Sequence, residues 1–546
     1  MVFMISQKGR SVNESPRGFS DILRGMAKKT MVLVVLDGWG IGAHDESNPI
    51  FTATLPTFAS LAATYPLTSL QASGIAVGLP WGEVGNSEVG HLTLGAGKVL
   101  YQYYPKITMA IRDGSFFENK VLKDACAHAR ATGGALHFAG LLSKGNVHAS
   151  LDHLHALITF ATNEKVPAIR LHLFADGKDV PQHTLQAYLK ELPKEYLATL
   201  IGRYYAMDRE GNWPLTETAY QLMTGMHDLG TPAANGDATA LIEEHYKKGQ
   251  TEEYLGPIRF TAVDGTDVGH VKDGDALFFF NYREDSIQQL ASAFILPGFD
   301  KFPTVPLKNV FVATMTHYND AFAVPVAFPA DTVADPFGKV ISDRGLAQLR
   351  LAETYKYAHV TYFFNGYREE PFPGEFRTLI PSLTGLHPET HPEMMASAIT
   401  DRLIEAIKGR AFDFILVNYA NGDAIAHTGN YQAGLEAVRV IDREIARVLA
   451  AVENDGDTIV AITSDHGNVE KMIDETTGLP ESQHDPSPVP FYLVAPQLKG
   501  RRFVNADTLA TETLGTLADV APTLLALMGI PAPAEMTGRS VLEGLL

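Results

Sequence analysis

Three apolar runs in this 546-residue chain are each followed closely by residues that bind divalent cations. Met31 to Leu36 (MVLVVL) leads into Asp37, Phe412 to Tyr419 into Asp423 and His427, and Thr458 to Thr463 into Asp465 and His466. His484 precedes a fourth run, Val489 to Val494. Together they make a mixed oxygen and nitrogen donor set suited to manganese, zinc or magnesium and large enough for two ions. No cysteine is among them, which argues against a closed structural zinc site. Asp423 and His427 are four apart, so a helical or compact turn offers both to one ion, and Asp465 with His466 needs only one turn. In GNSEVGH, from Gly85 to His91, small residues flank Ser87 and allow a tight turn that brings its hydroxyl close to a bulky anion. A cation beside that hydroxyl would lower its pKa and make it a nucleophile at neutral pH. Two cations bracketing a phosphoryl group, with Lys356 adding positive charge, define phosphoryl transfer as the reaction class. Singly these residues read as ordinary features. A Gly/Ser/Asn run is a loop, Asp before Gly is a turn, Asp-His after a strand can cap a helix, and Lys356 is a solvated charge. Their mutual completion carries the reading.

Continuous β-branched runs mark strands buried on both faces of a parallel sheet, whose carboxyl ends form the ligand crevice. The middle of the chain repeats this grammar with basic chemistry. His148 follows Leu136 to Leu142, and Asp176, Lys178 and Asp179 follow Ile169 to Ala175. Arg203 and Arg209 follow Leu197 to Ile201, and Arg283 follows Leu277 to Phe280. Metal-type ligands stand both before and after this block. The expected architecture is therefore two α/β domains: a discontinuous metal-binding domain, 31–103 and 333–546, interrupted by an inserted substrate domain, 104–332. ADTVADPF, from Ala330 to Phe337, reads as the return linker.

A hydrophobic content of 45% suffices for two cores. A net charge of −19 excludes an ordinary nucleic-acid binder and requires any anionic substrate to meet a local basic pocket. No run of about 20 apolar residues exists, so no membrane span is expected. The single cysteine, Cys126, rules out an internal disulfide, fits a reducing compartment and reads as a buried structural thiol. His153 and His155 read as surface or structural residues on a helix, and His317 receives no role. Residues 1–30 lack an apolar stretch long enough for a secretory signal. An organelle-targeting peptide is open, but a disordered leader, or an upstream start ahead of MAKKT at Met26, is preferred.

On VLDGWG (35–40), GNSEVGH (85–91), GRYYAMDR (202–209), KYAHVTYFFNG (356–366), NYANGDAIAHTG (418–429), SDHGN (464–468) and DVAPTLLALMGIP (519–531), the chain resembles the cofactor-independent phosphoglycerate mutases of the alkaline phosphatase superfamily. The resemblance runs from about Met31 to the C-terminus. It implies interconversion of 3-phosphoglycerate and 2-phosphoglycerate through a phosphoserine at Ser87, without 2,3-bisphosphoglycerate. It implies two manganese ions, one held by Asp423, His427 and His484, the other by Asp37, Ser87, Asp465 and His466. Donor types alone do not separate manganese from zinc, cobalt or magnesium. It places His148, Lys178, Asp179, Arg203, Arg209, Arg283 and Lys356 at the substrate, with Asp179 as acid/base on the glycerate hydroxyls. It also implies an alkaline-phosphatase-like metal domain, a small-molecule substrate, a monomeric cytoplasmic enzyme, and domain closure that protects the phosphoserine from water.

Three stretches depart from the family pattern. An Arg-Asp pair reads Lys178-Asp179, RADR reads REDS from Arg283 to Ser286, and LSDGGVH reads LSKGNVH, which brings in Lys144. A charged hydrogen bond lost with a guanidinium is worth about 1.5–3 kcal/mol, and Lys144 is a candidate to restore the charge. The rival readings are a metal-dependent phosphomonoesterase, a mutase of the same superfamily with another small phosphorylated substrate, or an inactive binding protein that kept the fold.

Overall fold

A computed structural model describes residues 29–262, 264–500 and 508–546. The expected leader, 1–30, lies outside the described residues up to position 28. Lys29 donates to the Gly456 carbonyl at 2.6 Å, and Thr30 already opens the first strand. The chain forms two compact α/β units, one running up to Tyr101 and resuming at Thr332, the other Gln102–Asp331.

The first unit is built on an eight-stranded sheet. Its spatial order is Glu375–Ile380, Gln348–Glu353, Phe414–Tyr419, Thr30–Leu36, Thr458–Thr463, Val489–Val494, Leu67–Gln71 and Gly515–Thr516. Thr30–Leu36 sits at the centre and pairs in parallel with Phe414–Tyr419 on one side and Thr458–Thr463 on the other. Its side chains alternate between two cores. Met31, Leu33 and Val35 pack on one face with Phe414, Leu416 and Ile459, while Val32, Val34 and Leu36 pack on the other with Ile415, Val417 and Val460. Period-two alternation explains why both registers of this strand must be apolar. The helix Tyr431–Asp455 covers the second face. Asn430 caps it by accepting from the Ala433 N–H, and Val438, Ile441, Ile445, Val448 and Val452 form its buried stripe.

Val489–Val494 runs antiparallel to both neighbours. This reversal explains the position of His484. Ligands on parallel strands follow the strand, but an antiparallel strand begins at the end where its parallel neighbours finish, so a residue preceding it reaches the same crevice.

The second unit has a seven-stranded sheet in the order Thr231–Ala234, Ile258–Thr261, Leu197–Gly202, Ala168–Ala175, Ala135–Leu142, Ala276–Phe279 and Phe311–Thr314. Only Ile258–Thr261 against Leu197–Gly202 is antiparallel. A buried polar chain crosses three of these strands and ends at Asp275, just before a fourth. Thr199 Oγ1 lies 2.8 Å from His172 Nδ1, His172 Nε2 lies 2.8 Å from His137 Nδ1, and His137 Nε2 lies 3.0 Å from Asp275 Oδ2. Each ring nitrogen has a partner, so these imidazoles are satisfied structural groups. Cys126 is buried in this core, where desolvation pushes its thiol pKa up to about 12 and keeps it unreactive. His153 is buried too, 2.8 Å from Thr108 Oγ1. Among the described residues, no helix is long and apolar enough to cross a membrane.

Candidate metal and phosphoryl-transfer site

In the first unit, the three central strands end side by side, and their loops are locked together. The Asp37 N–H donates to the Tyr419 carbonyl and the Asp423 N–H to the Asp37 carbonyl, both at 3.0 Å. Gly38 adopts left-handed backbone (φ +70°), and a Cβ there would lie 2.8 Å from Asp423 Cα, so only glycine lets the loops meet. Ser87 opens the helix Ser87–Ala96, capped by Asn86 through the Val89 N–H. Helix and metal-type loop touch at Gly90, where a Cβ would come within 2.5 Å of the Asp465 carbonyl oxygen.

Ser87 Oγ donates to Asp37 Oδ1 at 3.1 Å, lies 3.0 Å from His466 Nε2 and accepts from Lys356 Nζ at 2.6 Å. Lys356 Nζ also lies 2.6 Å from Asp37 Oδ1 and 2.7 Å from Asp423 Oδ2, with only 7% of the residue exposed. A solvated surface charge is thereby ruled out. Burial pulls the Lys356 pKa down, but Asp37, Asp423 and Asp465 outweigh it and hold the ammonium charged.

His427 and His484 face each other with their Nε2 atoms 3.0 Å apart, and each Nε2 is 3.2 Å from Asp423 Oδ1. His427 Nδ1 meets the Ser482 carbonyl at 2.9 Å and His484 Nδ1 the Gly85 carbonyl at 2.7 Å. A carbonyl only accepts, so each ring keeps a proton on Nδ1 and turns Nε2 inward. Two imidazole nitrogens and a carboxylate oxygen converging this way fit a divalent cation. Asp423 also draws the His427 pKa upward, a second sign that the locus attracts positive charge. The donor atoms of Asp423, His427 and His484 lie within 4.8 Å of one another.

The second set forms around Ser87. His466 Nε2 is 3.6 Å from Asp37 Oδ1 and 3.7 Å from Asp465 Oδ2. Asp465 is fully buried, and among the described residues its Oδ2 has only the His91 ring edge within hydrogen-bond distance, 3.1 Å from Nδ1, and no well-aligned hydrogen bond, which leaves an anionic atom that fits a cation. Burial raises its pKa, but His466, His91 and Lys356 prevail and hold it well below the usual carboxylate range. His466 is lifted to about 10 by Asp465, Asp37 and Asp423 against its burial. Donor atoms within 4.8 Å group as Asp37, Asp423 and His466, and as Asp37, His91 and Asp465, so the pool of acceptors is larger than the motif reading anticipated. That reading passed over His91, Asn418 and Asn468. Asn418 Nδ2 donates to Asp37 Oδ2 at 2.7 Å and Asn468 Nδ2 to Asp423 Oδ1 at 2.8 Å. All three lie inside the quoted motifs, and His91, four positions after Ser87 in a helix, carried the available signal.

In the second unit, four adjacent strands end in the other cluster. His148 Nδ1 lies 2.7 Å from Asp179 Oδ2, and Arg203 Nη1 donates to Asp179 Oδ1 at 2.8 Å and to Asp176 Oδ1 at 2.7 Å. Asp176 Oδ2 accepts from Ser143 Oγ at 2.5 Å, while its Oδ1 also accepts from the Lys178 and Asp179 N–H groups. Burial raises the Asp179 pKa, but His148 and Arg203 more than reverse it. Arg209 and Arg283 are half exposed and both donate to Asp285 Oδ2, at 2.6 and 2.9 Å. Ser286 Oγ donates to Asp285 Oδ1 at 3.1 Å and lies 3.5 Å from His148 Nε2. The Lys178 side chain is exposed, and Lys144 donates to Glu191 at 2.7 Å. His148, Asp179 and Arg203 thus form one cluster, Arg209 and Arg283 share one carboxylate beside it, and Asp285 is a member that motif reading did not single out.

A carboxylate and imidazole centre at the end of a largely parallel sheet is the mark of a metal-dependent enzyme, and a family model described as the Metalloenzyme superfamily matches residues 29–532. A 2,3-bisphosphoglycerate-independent phosphoglycerate mutase of Synechococcus sp. (strain JA-2-3B'a(2-13)) is 44% identical, covering 94% of this chain and 96% of that protein. One of Pseudomonas aeruginosa (strain PAO1) is 42% identical over 94% and 98%. Structures of Leishmania mexicana phosphoglycerate mutase at low cobalt concentration align with a TM-score of 0.50 and 29% identity, covering 94% of this chain and 97% of that one. The chain belongs to the 2,3-bisphosphoglycerate-independent phosphoglycerate mutase family and is an isomerase.

Proposed function

We propose that this enzyme interconverts 3-phosphoglycerate and 2-phosphoglycerate through a phosphoserine at Ser87, in the cytoplasm, as a step of glycolysis and gluconeogenesis. The observation that carries the mechanism is the convergence of Asp37, His466 and Lys356 on Ser87 Oγ at 3.1, 3.0 and 2.6 Å. Two manganese ions, one with Asp423, His427 and His484, the other with Asp37, Ser87, Asp465 and His466, would neutralise charge on the transferred phosphoryl oxygens.

Asp37, which already accepts the Ser87 hydroxyl, takes its proton, while Lys356 holds Oγ and, with His466, adds positive charge beside the phosphoryl group. The Ser87 Oγ to phosphorus bond forms as the bond from phosphorus to the glycerate oxygen breaks, and that oxygen takes up a proton. In the return step the neighbouring glycerate hydroxyl loses its proton and attacks phosphorus, the bond from phosphorus to Ser87 Oγ breaks, and Oγ takes its proton back from Asp37. Asp179 is kept ionised by its partners, so the proton traded with these hydroxyls is held between His148 Nδ1 and Asp179 Oδ2, 2.7 Å apart. Arg203 fixes Asp179, and Arg209 and Arg283 bind the substrate's anionic groups.

The test is turnover of 3-phosphoglycerate without 2,3-bisphosphoglycerate, in Mn²⁺ or in EDTA, for wild type and Ser87→Ala, with phosphate release recorded. Conversion that requires metal and Ser87 without steady phosphate release supports the proposal. Steady phosphate release without 2-phosphoglycerate would make the enzyme a phosphatase.

A further inference from the structure

His91 stands one helical turn after Ser87, is fully buried, and has no part in the mechanism above. Its Nδ1 lies 2.9 Å from the Ser87 carbonyl oxygen and 3.1 Å from Asp465 Oδ2. Its Nε2 lies 3.1 Å from Asn418 Nδ2, the nitrogen that also reaches Asp37 Oδ2 at 2.7 Å. These contacts fix the tautomer. An amide nitrogen only donates, so His91 Nε2 accepts from Asn418 and the ring proton resides on Nδ1, aimed at the Ser87 carbonyl. Turning the amide over would set its oxygen against the Asp37 carboxylate, so both Asn418 hydrogens are committed, one to Asp37 and one to His91.

We propose that His91 and Asn418 are positioning residues that tie the backbone of the nucleophile to two carboxylates, Asp465 through His91 and Asp37 through Asn418, and so preform the ion site around Ser87. This rests on the two-ion reading. The donor atoms of His91, Asp37 and Asp465 lie close enough to share an ion, which makes His91 a geometrically admissible ligand. Its chemistry says otherwise: Nδ1 carries a hydrogen and the Nε2 lone pair is occupied by Asn418. The ring instead sets its positive edge beside Asp465 Oδ2, which keeps its lone pairs for a cation. Partners that orient metal ligands without binding the metal are commonly worth about 10–100-fold in metal affinity.

The experiment titrates metal-free full-length protein with Mn²⁺, following free ion by electron paramagnetic resonance, for wild type, His91→Ala, His91→Asn and Asn418→Ala. Wild type should bind two ions. His91→Ala should still saturate at two, with one dissociation constant raised about 10–100-fold and the other within about twofold. Asn at position 91 offers an amide nitrogen near the former Nδ1 and should recover much of the loss. Asn418→Ala should weaken the same site, and it carries the test alone if His91→Ala does not fold. Saturation of His91→Ala at a single ion would make His91 a ligand and overturn the proposal. Unchanged constants with only a lower melting temperature would reduce both residues to packing and overturn it equally. A wild type that binds fewer than two ions would instead bring down the two-ion reading, and the positioning role with it.

Discussion

Lys356→Met removes the ammonium that contacts Ser87 Oγ, Asp37 and Asp423 and replaces it with an apolar chain of similar length. At separations of 2.6 and 2.7 Å each attraction amounts to about 6 kcal/mol at an effective dielectric of 20, opposed by the cost of burying the ammonium. Breaking such a buried pair typically costs about 3–5 kcal/mol, because the carboxylates are left without compensation. For a unit of roughly 300 residues, with an unfolding entropy of about 2.1 cal/mol/K per residue, a loss near 4 kcal/mol lowers the metal-free melting temperature by about 6 °C. Divalent ions would compete with the ammonium for the same oxygens, so they should stabilise the variant more than the wild type. Differential scanning calorimetry in EDTA and in saturating Mn²⁺ measures both. The expected gap of about 6 °C in EDTA should shrink below about 2 °C in Mn²⁺. Mutase activity should stay lost throughout. A gap below about 1 °C in EDTA, or one that persists in Mn²⁺, would refute the claim that Lys356 and the ions share these carboxylates.

Glu470 is fully buried, its Oε2 accepts from the Gly40 and Asn468 N–H groups at 2.8 Å, and burial pushes its pKa up to about 7. Its folded pKa lies above the unfolded value, so its stabilising contribution is complete below about pH 4.5 and lost as pH rises through about 7. Glu470→Gln should therefore gain on wild type by up to about 3 kcal/mol between pH 5 and 8 in urea unfolding, and a constant difference would sink the assignment. Asp285→Asn should free Arg209 and Arg283 for the substrate and lower KM two- to fivefold, the effect of about 0.5–1 kcal/mol of exposed ion pairing, with kcat little changed. A raised KM would show that Asp285 instead holds the guanidiniums in place. Metal loading should fall in mild acid because protons compete with the ions for imidazole nitrogens, so activity that stays flat down to about pH 5 would contradict histidine ligation.

The apolar runs before Asp37, Asp423 and Asp465 made the sheet and its crevice legible, because a strand buried on both faces leaves no polar position until it ends. Thr458–Thr463 and Val489–Val494 carry the bounds expected of them, whereas Phe412 and Asp413 precede the strand that begins at Phe414. Strand direction was not legible: nothing in VPFYLV marks it as antiparallel, and only pairing reveals why His484 precedes its strand while the other ligands follow theirs. Lys356 looked like a surface charge because its partners are more than 60 positions away. Asn418, inside an apolar strand, and His91, on a buried helix, were hidden by long-range pairing too. Asp285 was obscured by the attention that its flanking arginine and serine attract.

Asn418 is 381 positions from Asp37, yet the strands bearing them are neighbours. During synthesis at about 5–20 residues per second, the first strand waits roughly 20–75 s for that partner to leave the ribosome. The inserted unit has all seven of its strands before Asp331 and can complete its sheet during the wait. The run MVLVVL, apolar on both faces, meanwhile has no sheet to enter. Birth order thus runs opposite to chain order, and the nascent chain must shelter a strand that is apolar on both faces until Phe414–Tyr419 and Thr458–Thr463 have emerged.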